Sequence, residues 1–321
     1  MRTPRSPIHH ATRGAAQTCK RLFPLCCLFL LWCATAQAAP SAPAPQVYTA
    51  APFYILYETS GRNAVPPTDA DADGVPDSVT AVATQLLHAR EVLHHQMGLR
   101  DPLTSPRYAG VRRIEVRIMD KSALRGCNGR AFDELTPSRL ALQEHKLTLH
   151  IARHVDAKRN VTPAHEYFHL VQNGYTYFKN PWYYEGLARY MEGAFRPHTN
   201  VQTALATLPP PEHLQSLSYQ AADTFWGPWA AQCGKADAGR RSTPPPSTQN
   251  AQNTQSPPVY PLNGIACIRT LLEQLDAADD NICAARQQST PTSAPFWTEA
   301  QQRHVDNTPV ILDAVKNSYG R

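Results

Sequence analysis

Two short segments constrain this chain more than anything else in it: His165-Glu166-Tyr167-Phe168-His169 and Trp182-Tyr183-Tyr184-Glu185-Gly186-Leu187-Ala188. Histidines four apart on a helix stand one turn above each other on one face. Both can then reach one tetrahedral ion at about 2.0–2.1 Å, with a third ligand from elsewhere and water in the fourth position. Glu166 follows the first histidine, stands beside that water and can take its proton. The pattern predicts a zinc ion held by His165, His169 and Glu185, with Glu166 as general base. By chance alone, a chain with this His and Glu content carries such a string about 2% of the time. The surrounding residues therefore have to support the reading.

They do so in two places. Thr162-Pro163 is a helix start, a hydroxyl cap followed by proline in the first turn, and Asn173-Gly174 is a stop. Ala164, Phe168 and Val171 give that helix an apolar face, which Tyr167 and Leu170 widen. A largely buried helix cannot leave two imidazoles and a carboxylate without partners, and a metal supplies them. The bland alternative is a pair of satisfied core histidines. Asn180-Pro181 opens a second helix, predicted to end at Gly193 with Glu185, Ala188 and Glu192 facing inward. Gly186 and Ala188 are small enough to let the two helices approach closely. For Glu185 the alternative is an ordinary first-turn glutamate favoured by the helix dipole.

A glutamate on a helix downstream of H-E-x-x-H resembles the gluzincin metallopeptidases, the group of thermolysin and the zinc aminopeptidases. Trp182 to Glu192 looks much like the W-x-x-E-G-x-A-x-Y-x-E helix of the aminopeptidase branch. The gap from His169 to Glu185 is shorter than in that branch, and no G-x-M-E-N motif is present to hold a free amino terminus. The order Phe53–Tyr57, Asp73-Gly74-Val75-Pro76-Asp77, His165 to Gln172 and Trp182 to Glu192 resembles a loosely defined group of secreted bacterial proteins read as metallopeptidases. That match covers residues 48–230 and is specific at the motifs only. The resemblance implies His165, His169 and Glu185 as zinc ligands and Glu166 as base. Thermolysin-like sites often place a carboxylate one turn beyond the third ligand to orient a histidine. Here Arg189 stands there, and Glu192 is the candidate to orient the histidine. Tyr184, Tyr190, Tyr219 and His213 remain equal candidates for the donor to a developing oxyanion.

The first residues set the compartment. Lys20-Arg21 precede the apolar run Leu22 to Cys33, and Ala36-Gln37-Ala38 offers a small-residue cleavage site. This predicts a signal peptide over 1–38, cleaved near Ala38, and a secreted, periplasmic or cell-surface protein with no stable transmembrane segment. A lipoprotein at Cys33 would need a small residue where Trp32 stands. The leader takes five of the 31 basic residues and none of the 26 acidic ones, so 26 of each sign remain. That balance, without a basic stripe, argues against a nucleic-acid partner. Cys127, Cys233, Cys267 and Cys283 remain in an oxidising compartment, where two disulfides are expected in one of three pairings. Cys233 to Cys267 would close the loop with the least ordered composition.

The fold class expected is α+β: a zincin-like, two-lobed catalytic domain over 48–321 behind an Ala/Pro tether at 39–47. The upper lobe, 48–174, should hold a mixed sheet and the active-site helix; the lower lobe, 175–321, should be mostly helical. Phe53 to Glu58, Arg113 to Met119 and Lys146 to Ala152 read as strands, and Ser78 to Gln96 as a helix. An edge strand, either the Lys146 strand or Gly129 to Phe132, should bind an extended peptide. Helices are expected near Val201 to Leu208 and Ile265 to Ala277, with an aromatic segment at Tyr219 to Trp229. Residues 234–258 have the composition of a disordered insertion. The stretch after Arg286 is Pro- and Gln-punctuated and weakly patterned.

Asp69, Asp71, Asp73, Gly74 and Asp77 fit positions 1, 3, 5, 6 and 9 of a calcium loop, with the Val75 carbonyl as a further ligand. Position 12 is Thr80, so the loop is partial; a solvated acidic turn capping the next helix is the alternative. Three functional classes follow: a zinc peptidase acting on peptides or polypeptides, a non-catalytic zinc-binding adhesin or binding protein on the same scaffold, and an amidase acting on cell-wall peptide. Turnover of peptides, or release of soluble fragments from peptidoglycan, separates them.

Overall fold

The sheet is built from both ends of the first half of the chain. In the computed structural model, which describes residues 44–319 except 142, 199–202, 204, 238–256 and 290–296, five strands run in the order β1-β2-β3-β5-β4. β1 (Gln46–Ala50) and β2 (Phe53–Tyr57) form a hairpin. β3 (Ile114–Met119) lies parallel to β2, and β5 (His145–Ala152) lies parallel to β3. β4 (Gly129–Pro137) closes one edge antiparallel to β5, with a register shift between Phe132 and Thr136. The architecture is thus α+β around a mixed sheet. The expected strands lie within a residue of their predicted bounds. β1 was not anticipated: its first two residues fall in the stretch read as tether. An exposed edge strand buries too little apolar surface to mark itself.

Alternation decides what the sheet covers. Phe53, Ile55, Ile114, Val116, Ile118, Leu147, Leu149 and Ile151 all point to one face and are buried. Helices α1 (Asp77–Arg90) and α2 (Thr162–Tyr175) share that core, where the Phe53 and Tyr167 rings meet edge to face at 5.4 Å. α1 is shorter than expected because Glu91–Gln96 widens into a π-helical turn. There His94 Nε2 meets the Tyr167 hydroxyl at 2.7 Å. α2 runs through Gly174 instead of stopping before it.

From residue 176 onward the chain supplies helices: α3 (Pro181–Met191), α4 (Pro211–Gln215), α5 (Gly227–Asp237), α6 (Ile265–Ser289), α7 (Glu299–Gln302) and α8 (Asn307–Asn317). The helix expected near 201–208 is not seen at its described positions, residues 203 and 205–208. Pro209, Pro210 and Pro211 follow directly, and a residue before proline is pushed out of the helical region. The disordered insertion expected over 234–258 begins with the end of α5, and its centre, 238–256, lies outside the described residues. So do the signal peptide and most of the tether. Among the described residues, no helix is long and apolar enough to cross a membrane.

Of the two disulfides expected, one is formed. Cys233 on α5 is bonded to Cys267 on α6 with their Cα atoms 6.2 Å apart. Cys127 and Cys283 are free thiols: Cys127 is exposed, and Cys283 Sγ accepts from Trp297 Nε1 at 3.2 Å.

Candidate metal centre and its cleft

The start of α2 is anchored from a distance. Asn160 Oδ1, just before the helix, accepts from the Thr162 N–H at 2.9 Å, so the cap expected of the Thr162 hydroxyl is made two residues earlier. Gln85 of α1 accepts from the Ala164 N–H at 3.0 Å and donates to the carbonyls of Ala157 and Asn160 at 2.6 and 3.0 Å. One buried amide therefore satisfies a donor that the first helical turn leaves open. α3 is set close to its neighbours by Gly186, where an added Cβ would lie 2.7 Å from that of Ala221 and 3.0 Å from the Ser218 carbonyl oxygen.

With both helices so placed, the three sequence-predicted ligands converge. Glu185 Oε2 is 3.4 Å from His165 Nε2 and 3.4 Å from His169 Nε2. The three ligand atoms lie within 4.8 Å of one another. Neighbouring ligands of a tetrahedral ion with bonds of about 2.0–2.2 Å stand about 3.3–3.6 Å apart, and the two measured edges fall in that range. Glu185 Oε2 is buried and makes no hydrogen bond of good geometry, an orphaned oxygen that a cation would satisfy. The donor set, two imidazoles and a carboxylate, is one that suits zinc.

The other nitrogen of each imidazole is occupied. His165 Nδ1 donates to Glu192 Oε1 at 3.0 Å, and His169 Nδ1 to Gln172 Oε1 at 2.8 Å. With a cation bound, each pairing would leave Nε2 as the ligating nitrogen. Glu192 is held by Arg189 at 2.6 Å and Arg196 at 3.1 Å, so the arginine in the expected carboxylate position acts through Glu192. Gln172 also donates to the Tyr184 carbonyl at 3.2 Å, tying the second histidine to the residue before Glu185. Burial opposes a charged His165, but Glu185 and Glu192 on its two nitrogens push its pKa up to about 10. Burial likewise opposes a charged Glu185, yet the two imidazoles hold its carboxyl well below the usual range. These are the signs of a site built for positive charge.

Glu166 is buried beside the ligands, at the inner wall of the cleft. Burial raises its pKa, offset in part by the two histidines and by the Ala131 N–H that bonds it. That wall is β4, and it comes close only because residue 129 is glycine: a Cβ there would lie 2.5 Å from Glu166 Cγ and 2.6 Å from Oε1. Between the expected substrate edges the sheet decides, since β5 is internal and β4 is the edge. The cleft has a volume of about 820 Å³.

Of the four candidate oxyanion donors, Tyr219 faces the centre. It is 52% exposed, its ring centroid is 6.0 Å from that of His165, and its hydroxyl bonds Glu185. Burial first, then the Glu185 charge, raise its pKa. Tyr184 is spent in stacking on His169 at 3.9 Å, and Tyr190 donates to the Asn263 carbonyl at 3.1 Å. His213 lies on α4 and does not line the cleft. Sequence reasoning did not find Gly129 or Gln172; the Gln172 contact with His169 was readable as an i, i+3 pair, the Gly129 approach was not.

In the acidic loop, carboxylates of Asp69, Asp71 and Asp77 converge within 4.8 Å, and Asp73 is not among them. Asp73 accepts the Val75 N–H at 2.8 Å, while Asp69 accepts from Asp73 and Gly74. Backbone donors close this loop, and exposed carboxylates gather in this way without an ion, so it carries no metal assignment. Comparison with known proteins finds no family model, no curated protein and no solved structure that matches the chain.

Proposed function

We propose that this chain is an exported zinc-dependent peptidase of the gluzincin kind, in which His165, His169 and Glu185 hold the metal. The observation that carries the reading is the pair of 3.4 Å separations from Glu185 Oε2 to the two imidazole nitrogens. Supporting it are the buried Glu166 beside them, the edge strand lining the cleft, and the helical region that closes its other side. These features support a two-lobed, zincin-like reading.

A bound zinc ion would lower the pKa of its water toward 7 and polarise the scissile carbonyl. Glu166 would take a proton from the attacking water as its oxygen adds to the carbonyl carbon, and return that proton to the amine as the C–N bond breaks. The Ala131 N–H holds the Glu166 carboxylate in place. Tyr219 donates to the oxygen on which negative charge develops. Glu192 and Gln172 keep both imidazoles in the ligating tautomer. An extended peptide adds along β4.

The test pairs metal analysis of the purified mature chain with a peptide-library digest. Wild type should carry one zinc and cleave peptides. Glu166→Gln should keep its zinc and lose about 10²–10⁴ in kcat. A wild type that binds zinc and cleaves nothing makes this a binding protein on the same scaffold. Equal turnover by Glu166→Gln removes the base from the mechanism.

A further inference from the structure

The charges of the cleft are distributed unevenly. Most of its acids are already neutralised: Asp133 by Lys179 at 2.7 Å, Glu299 by Arg303 at 2.6 Å, and Glu192 by its two arginines. Glu166 and Glu185 belong to the metal centre, which leaves Glu134 as the unpaired acid of the lining. The cations are not balanced in the same way. Lys121, Arg125 and Arg130 line the cleft, and no carboxylate among the described residues comes within salt-bridge distance of them. Arg130 rests over the Phe132 ring at 5.1 Å instead. Arg159 has Asp156 at 3.9 Å, with both side chains in solvent, a pairing worth little.

Arg159 precedes the first turn of α2, and Thr162 of that turn lines the same cleft, so the positive end of the helix adds to the surplus. Arg125 is a non-glycine residue held in the left-handed region, φ 53°, at the end of the Lys121–Leu124 turn. Lys179 and Arg303, which also line the cleft, are by contrast paired with Asp133 and Glu299. A cleft lined by one sign of charge attracts ligands of the other.

We propose that the cleft selects acidic peptides, with aspartate or glutamate side chains lying against Lys121, Arg125 and Arg159. This rests on the reading of the cleft as a peptide-binding site and narrows its substrate class. Each exposed contact is weak, so the preference comes from their sum and is sensitive to salt.

The experiment uses three labelled peptides of one sequence, bearing Asp/Glu, Asn/Gln or Lys at the variable positions. Binding is read by fluorescence anisotropy on zinc-loaded Glu166→Gln, and cleavage by wild type. The acidic peptide should bind and react about tenfold better than the amide peptide at low salt, with the advantage shrinking to about twofold near 0.5 M salt. The double substitution Arg125→Glu with Arg159→Glu, both on exposed side chains, should keep the melting temperature and turn the preference toward the Lys peptide. Equal binding of the acidic and amide peptides, or an unchanged preference in the double variant, overturns the proposal, as does no binding at all. Acid-selective binding without cleavage leaves it standing and instead removes the peptidase reading.

Discussion

Residue 129 shows how one missing atom shapes this site. Glu166 occupies the space that a Cβ would need, so any substitution there must move the carboxylate or the strand. Gly129→Ala should lower kcat about 10–100-fold through misplacement of the base, with zinc content unchanged. Loss of zinc in that variant would mean the glycine serves the helix and not Glu166. At this scale the sequence was legible where function depends on spacing within one helix. His165, Glu166 and His169 lie within two turns, and no tertiary contact is needed to place them on one side. Tyr219 could not be chosen over Tyr184 or Tyr190 because an aromatic near a motif does not reveal where its hydroxyl ends. Stacking on His169 and a bond to the Asn263 carbonyl take the other two away.

At the scale of elements, α2 is placed by a side chain 75 positions earlier than its anchor at Asn160. Gln85→Leu removes the partner of one N–H and two carbonyls in a buried setting, which should destabilise the fold by about 2–4 kcal/mol in denaturant titration. A loss below about 1 kcal/mol would mean that water replaces the amide. Periodicity gave the central strands, α1 and α2 closely because each has a strongly one-sided apolar pattern. It did not give α8, whose Ile311 and Val315 are buried. Its short apolar set, Ile311 to Val315, marks a helix only once α6 is there to cover it. The helix predicted before Pro209 is not formed at its described positions, residues 203 and 205–208, where three consecutive prolines follow directly.

For the molecule as a whole, ion pairs join the sheet-bearing half to the helical half. Arg100 meets Asp276 and Arg107 meets Asp279, both at 2.7 Å, with Asp279 almost fully buried. The disulfide acts on the helical side. Cys233 and Cys267 are 34 positions apart, and in the chain-entropy model the bond between them contributes about 3–4 kcal/mol. Cys233→Ala with Cys267→Ala should lower the melting temperature accordingly while zinc affinity stays unchanged. A large fall in zinc binding instead would place the metal centre under the control of the α5–α6 packing.

The sequence by itself determined the candidate ligand types, the spacing of the two histidines on one helix and the carboxylate beside them, because these are local quantities fixed by a 3.6-residue repeat. Tertiary structure alone decided which strand forms the edge of the cleft, which tyrosine faces the ligands, and which charges remain unbalanced. Those depend on approaches between segments far apart in the chain, and no local pattern encodes the distance between them.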